Sequence, residues 1–320
     1  MPETTYPVNL IAPDITPYRT GNTGVEYITT FDSGKRGPHV MLTAIVHGNE
    51  LCGAITLDFL FQQDVRPLRG KLTLGFMNVE AFHRFNPEHP ETSRFVDEDF
   101  NRVWAGEVLD GPRESVELKR AREVRPIIDQ VDFLLDIHSM QHPTVPLMMC
   151  GPTEKGRRLA RAISYPKYIV SDVGHAAGKR MRDYGAFRDA LSPKNALLVE
   201  CGQHWDQSSA NVARETALRF LAYFDLIDPV FVNAHVSSEQ PPGAKVVEVT
   251  EAITIHNNHF TFAEPFTGME IIPESGTVIG WDGKRAIRTP YSDCVLIMPS
   301  RRLYKGQTAV RLGRFIDSSG

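Results

Sequence analysis

The sequence predicts an α/β protein with a mixed or mostly parallel sheet flanked by helices, followed by a small all-β segment. Two observations lead to this prediction. Apolar runs of strand length alternate with longer runs of helical periodicity through residues 39–227. Beyond residue 235 only short β-like runs remain, and Gly, Pro, Asn and Asp separate them.

The strands and helices of the α/β part can be placed in order. Nearly continuous apolar runs predict strands buried on both faces at residues 39–46, 71–79, 131–139, 145–150 and 194–202. Helical periodicity predicts helices at residues 51–63, 114–130 and 208–227. Pro126 should kink the second helix or mark a late boundary in it. In sheets of this kind, ligands bind beyond the carboxyl ends of the strands.

Length and composition limit the class of protein. A chain of 320 residues suits a large domain plus a small one, which we place at residues 1–234 and 235–320 with a polar connector at 237–245. The net charge is −4 without a basic block, so no nucleic acid or anionic membrane is expected as a partner. No signal peptide or membrane span is visible, so we expect a cytoplasmic protein whose four cysteines are reduced. A homo-oligomer is compatible with the sequence.

Two histidines and a glutamate stand at the ends of two predicted strands. His47 and Glu50 are three residues apart where the first strand gives way to a helix, and His138 ends another strand. Each feature alone occurs by chance in many proteins. Together they form a ligand set of zinc hydrolases, two His and one Glu with one position left open. We therefore predict one Zn²⁺ per chain at these residues, with Asp136 as a candidate to orient His138.

Glu200 and a short polar segment are the next candidates. Glu200 ends the apolar strand NALLVE, where a carboxylate is costly to bury without a partner or a task. Beside a zinc site it can take a proton from water and pass it to a leaving amine; the alternative is a strand-end salt bridge. The segment SRFVDEDFNR (93–102) contains Arg94, Asn101 and Arg102. Arginines there can bind a carboxylate or stabilise an oxyanion, unless the segment is an ordinary solvated loop.

Residues 173–188 form a glycine-rich, basic stretch before the Glu200 strand. It contains no phosphate-binding glycine motif, so nucleotide binding is not indicated. Tyr184 and Arg188 can reach a substrate from this stretch, and a mobile surface loop is the alternative.

Four motifs in chain order resemble those of the aspartoacylase/succinylglutamate desuccinylase family, which is related to the zinc carboxypeptidases. They are HGNE (47–50), SRFVDEDFNR (93–102), DIHS (136–139) and VECG (199–202). The β-rich tail resembles the small C-terminal domain of that family. The resemblance implies a carboxypeptidase-like α/β domain that hydrolyses the amide bond of an N-acylated amino acid. It also implies that the C-terminal domain narrows the substrate entrance.

The resemblance implies a role for each candidate residue. The zinc ligands are His47, Glu50 and His138, and the general base is Glu200. Arg94 polarises the scissile carbonyl group. The residues that hold the substrate are Asn101 and Arg102, which grip a carboxylate, and Tyr184 and Arg188, which hold an acidic side chain. His204 and Trp205 depart from the aspartoacylase pattern, so the acyl group and the amino acid stay open.

Three alternatives to an aspartoacylase-like activity follow from the same residues. The first is a succinylglutamate desuccinylase or another N-acyl amino acid deacylase. The second is a zinc carboxypeptidase that trims peptides, which should have an open cleft. The third is a metal-binding or acid-binding protein without catalysis, which has no need of Glu200.

Overall fold

The computed structural model describes residues 6–174, 177–238 and 243–316. Parts of the predicted connector (239–242) and of the glycine-rich stretch (175–176) therefore lie outside the described residues. The α-helices of the described ranges are α1 (Leu51–Gln62), α2 (Val79–Phe82), α3 (Gly106–Leu109), α4 (Val116–Ile128), α5 (Glu154–Ile163), α6 (Gln207–Tyr223) and α7 (Pro229–His235). Nowhere in these ranges is a helix both long and apolar enough to cross a bilayer.

The strands of the same ranges form two sheets. They are β1 (Ile28–Asp32), β2 (His39–Ala44), β3 (Lys71–Phe76), β4 (Phe133–Met140), β5 (Leu147–Met149), β6 (Tyr168–Ser171), β7 (Asn195–Gln203), β8 (Lys245–Thr254), β9 (Phe260–Phe262), β10 (Ile271–Ile272), β11 (Val278–Asp282), β12 (Arg285–Arg288), β13 (Cys294–Ile297) and β14 (Thr308–Ile316). The large sheet has the order β1-β3-β2-β4-β7-β5-β6-β8-β14-β13-β10, and β12, β11 and β9 form the small one.

Four neighbouring strands of the large sheet position the candidate site. Strands β3, β2, β4 and β7 run parallel, so their carboxyl ends share one edge. Strand β5 pairs antiparallel with β7, and β8 continues the sheet by pairing parallel with β6. The sheet is therefore mixed, as the sequence predicts.

The predicted elements of the α/β part are confirmed, with boundaries that differ by up to four residues. Helix α4 continues for two residues past Pro126, which therefore lies close to the end of the helix, as a late boundary predicts. Helix α5 and strand β6 are not predicted by the sequence, because polar residues dominate the first and the second is short. All four cysteines are buried and free.

The C-terminal segment contains only strands after α7, within its described residues. Four of these strands, β8, β10, β13 and β14, extend the large sheet, while three form the small antiparallel sheet. Much of the C-terminal segment thus belongs to the same sheet as the α/β part.

Side-chain alternation assigns the candidate residues to one face of the sheet. In β4, Ile137 packs in the core formed with α1, α5 and α6, whereas Leu134 packs in the core formed with α4. Because side chains alternate along a strand, Asp136 and His138 point to the same side as Leu134. Glu200 follows the same pattern in β7, so all three face the α4 side.

Candidate metal centre

A tight turn between β2 and α1 brings His47 and Glu50 together. Ile45 adopts a left-handed conformation with a φ of 52°, which turns the chain out of the sheet. The Glu50 N–H donates to the His47 carbonyl group at 3.1 Å. Between them, Gly48 has no room for a side chain, since a Cβ there would lie 2.4 Å from the carbonyl carbon of Ala81. The turn thus requires glycine at position 48, between His47 and Glu50.

Three ligand atoms converge beyond these strands. His47 Nδ1 lies 2.7 Å from Glu50 Oε1, and His138 Nδ1 lies 2.9 Å from Glu50 Oε2. One ligand atom from each residue lies within 4.8 Å of the others, and no side chain of the three is more than 5% exposed. Two imidazole nitrogens and a carboxylate in this arrangement can hold one metal ion.

The opposite ring nitrogens are held by two further carboxylates. His138 Nε2 lies 2.8 Å from Asp136 Oδ2, and His47 Nε2 lies 3.0 Å from Asp99 Oδ1. A proton on each Nε2 leaves each Nδ1 lone pair for a cation, as in metal-ligating histidines. Arg94 Nη2 is 2.8 Å from His47 Nε2, but it cannot donate to a protonated nitrogen. We therefore assign its hydrogen bond to Asp99 Oδ2, 3.1 Å away.

The charges around these residues attract a cation. Burial opposes ionisation of Glu50, but His47 and His138 hold the pKa of Glu50 well below its usual range. Burial also opposes a charge on His138, yet Asp136 and Glu50 raise the pKa of His138 well above its usual value. The site therefore draws in positive charge, from a proton or from a divalent cation. The donor set fits Zn²⁺.

The loop that carries Arg94 also carries Asp99, which the sequence does not single out. Asp99 caps the short 3₁₀ helix Phe100–Arg102 by accepting from the Asn101 N–H at 2.9 Å. Burial opposes its ionisation, but His47, Arg102 and Arg94 hold the pKa of Asp99 well below its usual range. Acidic residues in a loop are ordinary in any sequence, so only the fold distinguishes Asp99 from its neighbours.

Asn101 and Arg102 also lie at the site. Asn101 is buried, its Oδ1 accepts from the Met181 N–H at 2.8 Å, and its Nδ2 lies 3.3 Å from His138 Nε2. Burial and nearby arginines lower the pKa of Arg102 to about 10, although Asp99 opposes this effect. An anion beside Arg102 would offset its lost hydration, which suits it to bind a carboxylate.

One buried carboxylate from α4 holds the loop in place. Glu117 is fully buried, and it accepts from three consecutive backbone N–H groups at 2.7, 3.1 and 3.2 Å. The donors are Val96, Asp97 and Glu98. Because these amides lie between Arg94 and Asp99, Glu117 fixes the positions from which both side chains extend.

We expect Glu117→Gln to lower both stability and activity. A glutamine turns its NH₂ group toward part of the amide cluster, and each buried N–H left without an acceptor costs about 1–3 kcal/mol. The free energy of unfolding should fall by that order, and kcat/KM should fall about tenfold as Arg94 moves. Denaturant unfolding and steady-state kinetics measure the two effects. Glu123→Gln, the same change at an exposed position of α4, is the control, and equal behaviour of both variants would contradict the expectation.

Glu200 lies beside His138 in the register of β4 and β7. The register shifts just after this pair, and such irregularities commonly redirect side chains near sites. Glu200 is 6% exposed, and its Oε2 has no hydrogen-bond partner among the described residues. Burial, reinforced by Glu50, raises the pKa of Glu200 to about 8. A buried carboxylate with an unpartnered oxygen at this position can accept a proton.

Two further arginines, which the sequence does not single out, reach the site. Arg180 and Arg311 are buried and line a cavity of about 70 Å³ together with Arg102 and Glu200. Asp172 Oδ2 lies 2.5 Å from Arg180 Nη2 and 3.1 Å from Arg311 Nε, so one carboxylate serves two guanidinium groups. An arginine inside an apolar β-like run, as in TAVRLG, is the sequence feature that could have identified Arg311.

The structure does not bring Tyr184 and Arg188 to the site. The Tyr184 hydroxyl donates to Asp129 Oδ1 at 2.8 Å, and the ring lines a separate small cavity. Arg188 is exposed. The reason is the direction of β7: its start at Asn195 lies about 16 Å before Glu200 at roughly 3.3 Å per residue. Residues close before that start therefore lie near the opposite edge of the sheet.

A second cavity, of about 140 Å³, opens beside two of the three candidate metal ligands. Its walls include His47, Glu50, Arg94, Glu200 and His204. The C-terminal segment forms the facing wall through residues that include Thr267, Met298, Pro299, Ser300, Arg302 and Arg311. Trp205 has a structural role, since its indole N–H donates to the Asn49 carbonyl group at 3.0 Å.

Comparisons with known proteins address the family and the fold. Residues 36–224 match the family model of the succinylglutamate desuccinylase/aspartoacylase catalytic domain, and no curated protein matches the chain. A succinylglutamate desuccinylase/aspartoacylase from Rhodobacter sphaeroides is 17% identical, with a TM-score of 0.64 over 92% of this chain and 90% of that chain.

Two other solved structures share the fold. A succinylglutamate desuccinylase from Vibrio cholerae is 16% identical, with a TM-score of 0.66 over 91% of this chain and 86% of that chain. The ectoine utilization protein EutE (DoeB) from Ruegeria pomeroyi, solved with its product, is 16% identical, with a TM-score of 0.61 over 92% of both chains. At such identities the likeness concerns the fold alone.

Proposed function

The chain belongs to the succinylglutamate desuccinylase/aspartoacylase family, and we propose that it uses one Zn²⁺ to hydrolyse the amide bond of an N-acylated acidic amino acid. The products are a carboxylic acid and the free amino acid. The observation that supports this proposal most is the convergence of His47, Glu50 and His138, with Glu200 paired to His138 in the register of β4 and β7 and lining both adjoining cavities.

Three residues would bind the metal, and two further carboxylates would orient the histidines among them. His47, Glu50 and His138 would bind the ion, while Asp99 and Asp136 hold the opposite nitrogens of the two histidines. When bound, Zn²⁺ acidifies water and polarises a carbonyl oxygen. The two outer carboxylates keep the imidazole rings oriented and make them better ligands.

Glu200 and Arg94 carry out the remaining steps. Glu200 takes a proton from the attacking water, whose oxygen adds to the amide carbon, and then gives that proton to the departing amine as the C–N bond breaks. Arg94 stands beside the metal ligands, 3.3 Å from Glu50 Oε1, where its guanidinium group stabilises negative charge on the carbonyl oxygen.

An acidic amino acid suits the smaller cavity. Asn101, Arg102, Arg180 and Arg311 line it, and one carboxylate, that of Asp172, serves two of these three guanidinium groups. Paired hydrogen bonds from such groups favour a substrate carboxylate. We assign Arg180 to substrate binding in place of Tyr184 and Arg188.

We expect Arg180→Lys to raise the KM for an N-acyl-aspartate or N-acyl-glutamate about tenfold or more. The lysine keeps the charge that Asp172 needs, but it lacks the planar fork, and a charge-assisted hydrogen bond contributes about 1.5–3 kcal/mol. Steady-state kinetics with the zinc-loaded protein measures the effect. Tyr184→Phe and Arg188→Ala are the controls, with KM expected within about twofold of wild type. A larger rise in KM for these two than for Arg180→Lys would restore the Tyr184 and Arg188 assignment.

The C-terminal segment argues against long peptides as substrates. Its residues wall a cavity of about 140 Å³, which suits a small molecule better than an extended chain. We retain residues 1–234 as the catalytic domain and 235–320 as the part that narrows the entrance. The unpartnered oxygen of Glu200 also disfavours a protein that only binds metal or acid.

A hydrolysis screen tests the proposed function. The zinc-loaded protein is assayed with N-acyl-aspartates, N-acyl-glutamates, neutral N-acyl amino acids and peptides with a free C-terminus. We expect turnover of acidic N-acyl amino acids in preference to the other two groups. Preferred cleavage of peptides would support the carboxypeptidase alternative, and turnover of none of these compounds would contradict the proposal.

A further inference from the structure

His204 is a buried side chain that the proposed reaction does not use. It follows β7 directly, is 1% exposed and lines the 140 Å³ cavity. Its Nδ1 lies 2.9 Å from Ser139 Oγ, whereas its Nε2 has no hydrogen-bond partner among the described residues. A buried polar atom without a partner is costly, so such an atom in a cavity wall indicates a ligand.

The position of the His204 ring is fixed relative to the metal ligands. Its backbone N–H donates to the Met140 carbonyl group at 2.9 Å, and the Ser139 N–H donates to Glu50 Oε2 at 3.0 Å. Burial lowers the pKa of His204 to about 3, so the ring is neutral at ordinary pH. A neutral imidazole offers one hydrogen bond at Nε2 and does not act as a counter-ion.

The surroundings of His204 are polar and include charged as well as uncharged groups, since Arg94, Arg302 and Arg311 line the same cavity. Ser139, Gln141, Thr144, Thr267 and Ser300 share this cavity with it. By contrast, Arg180 belongs only to the smaller cavity. The two cavities thus share Arg94, Arg102 and Arg311, and the larger one adds neutral hydrogen-bonding groups beside His204 that the smaller one lacks.

We propose that His204 Nε2 binds an oxygen atom of the acyl group, so that the enzyme selects acyl groups with a hydrogen-bonding oxygen over plain hydrocarbon ones. This inference rests on the proposed function, with the amino acid carboxylate in the smaller cavity and the acyl chain in the larger. A hydroxyl group suits either tautomer of His204, because it both donates and accepts. An acyl chain without such an oxygen leaves Nε2 unpaired, and sites of this kind discriminate strongly against it.

Matched substrate pairs test the inference. Each pair is an N-acyl-aspartate in which a hydroxyl replaces a methyl group: hydroxyacetyl against propionyl, 3-hydroxypropionyl against butanoyl, and lactyl against isobutyryl. For the wild-type protein we expect kcat/KM to favour the hydroxylated member at least tenfold in one or more pairs. Zinc content and thermal unfolding are measured for every variant.

Two substitutions of His204 distinguish the contribution of Nε2 from that of Nδ1. His204→Asn keeps an amide near the Nδ1 position, within reach of Ser139, but removes the group at Nε2. His204→Gln keeps an amide nitrogen near the Nε2 position. We expect His204→Asn to lower the hydroxyl-to-methyl ratio at least tenfold, mainly through the KM of the hydroxylated member, and His204→Gln to retain more of that ratio.

The outcomes separate this inference from the function on which it depends. Turnover of both members of every pair with a wild-type ratio near one overturns the inference and leaves the proposed function standing. An equal loss for both members in His204→Asn indicates a merely structural role and also overturns it. Turnover of none of the six compounds by a protein that hydrolyses other N-acyl amino acids overturns the inference alone, whereas a protein that hydrolyses no N-acyl amino acid at all overturns the proposed function as well.

Discussion

Glu200→Gln is expected to keep its zinc and to lose kcat by about 10²- to 10⁴-fold, the usual contribution of a positioned general base. Glutamine has the size of glutamate but cannot take a proton from water. The buried position of Glu200 and its unpartnered Oε2 make a structural salt bridge an insufficient explanation for this carboxylate. Single-turnover kinetics on an N-acyl amino acid, with metal analysis of the same sample, measures both quantities.

The pH dependence provides an independent check of the same residue. Only the carboxylate form of Glu200 accepts a proton, so kcat/KM should rise with pH on the acid side. Burial raises the pKa of Glu200 to about 8, and a divalent cation nearby favours the carboxylate and moves the pKa below that value. We expect an acid limb below about pH 8 in the wild-type protein and its loss in Glu200→Gln. Full activity of a zinc-loaded Glu200→Gln protein would exclude the mechanism.

Local sequence patterns are sufficient to predict the site residues that lie at the carboxyl ends of strands. His47, His138 and Glu200 each sit where an apolar run meets polar residues, and parallel strands bring such positions to one edge. Glu50 follows His47 by three residues in the same turn, which is closed by the hydrogen bond from the Glu50 N–H to the His47 carbonyl group. These residues depend on short stretches of sequence and on a simple rule of topology, which is why they could be identified without coordinates.

The remaining residues depend on contacts between distant segments. Arg311 reaches the cavity because β14 pairs with β8, which continues the main sheet beyond β6, and no local pattern specifies such a neighbour. Arg180 reaches it because Lys179, the preceding residue, bridges Val103 in the loop after Arg102. Tyr184 lies only four residues from Arg180, yet the chain has by then turned away from the site. The distance from Glu200 along the sequence therefore could not show which of the two residues, Arg180 or Tyr184, lies at the site.

His138→Ala is expected to abolish metal binding, and with it nearly all activity. The change removes one of three ligands and leaves Asp136 and Glu50 as buried carboxylates without the imidazole between them. We expect zinc content to fall from one ion per chain to below about one tenth, and kcat/KM to fall at least as far as in Glu200→Gln. Metal analysis after dialysis and an activity assay with added zinc measure these effects.

A control variant and a stability measurement distinguish the loss of a metal ligand at His138 from general damage to the protein. His259→Ala, at an exposed position in the C-terminal segment, should retain zinc and activity. For the wild-type protein, chelation should lower the melting temperature and zinc should restore it, because a ligand that binds only the folded state stabilises that state. In His138→Ala, neither treatment should shift the melting temperature. We expect almost no zinc to remain in this variant, because Glu50 reaches His47 and His138 through its two different oxygens and no other cluster among the described residues offers three such ligands. A His138→Ala protein that held one zinc per chain with wild-type turnover would contradict the assignment of the metal to these residues.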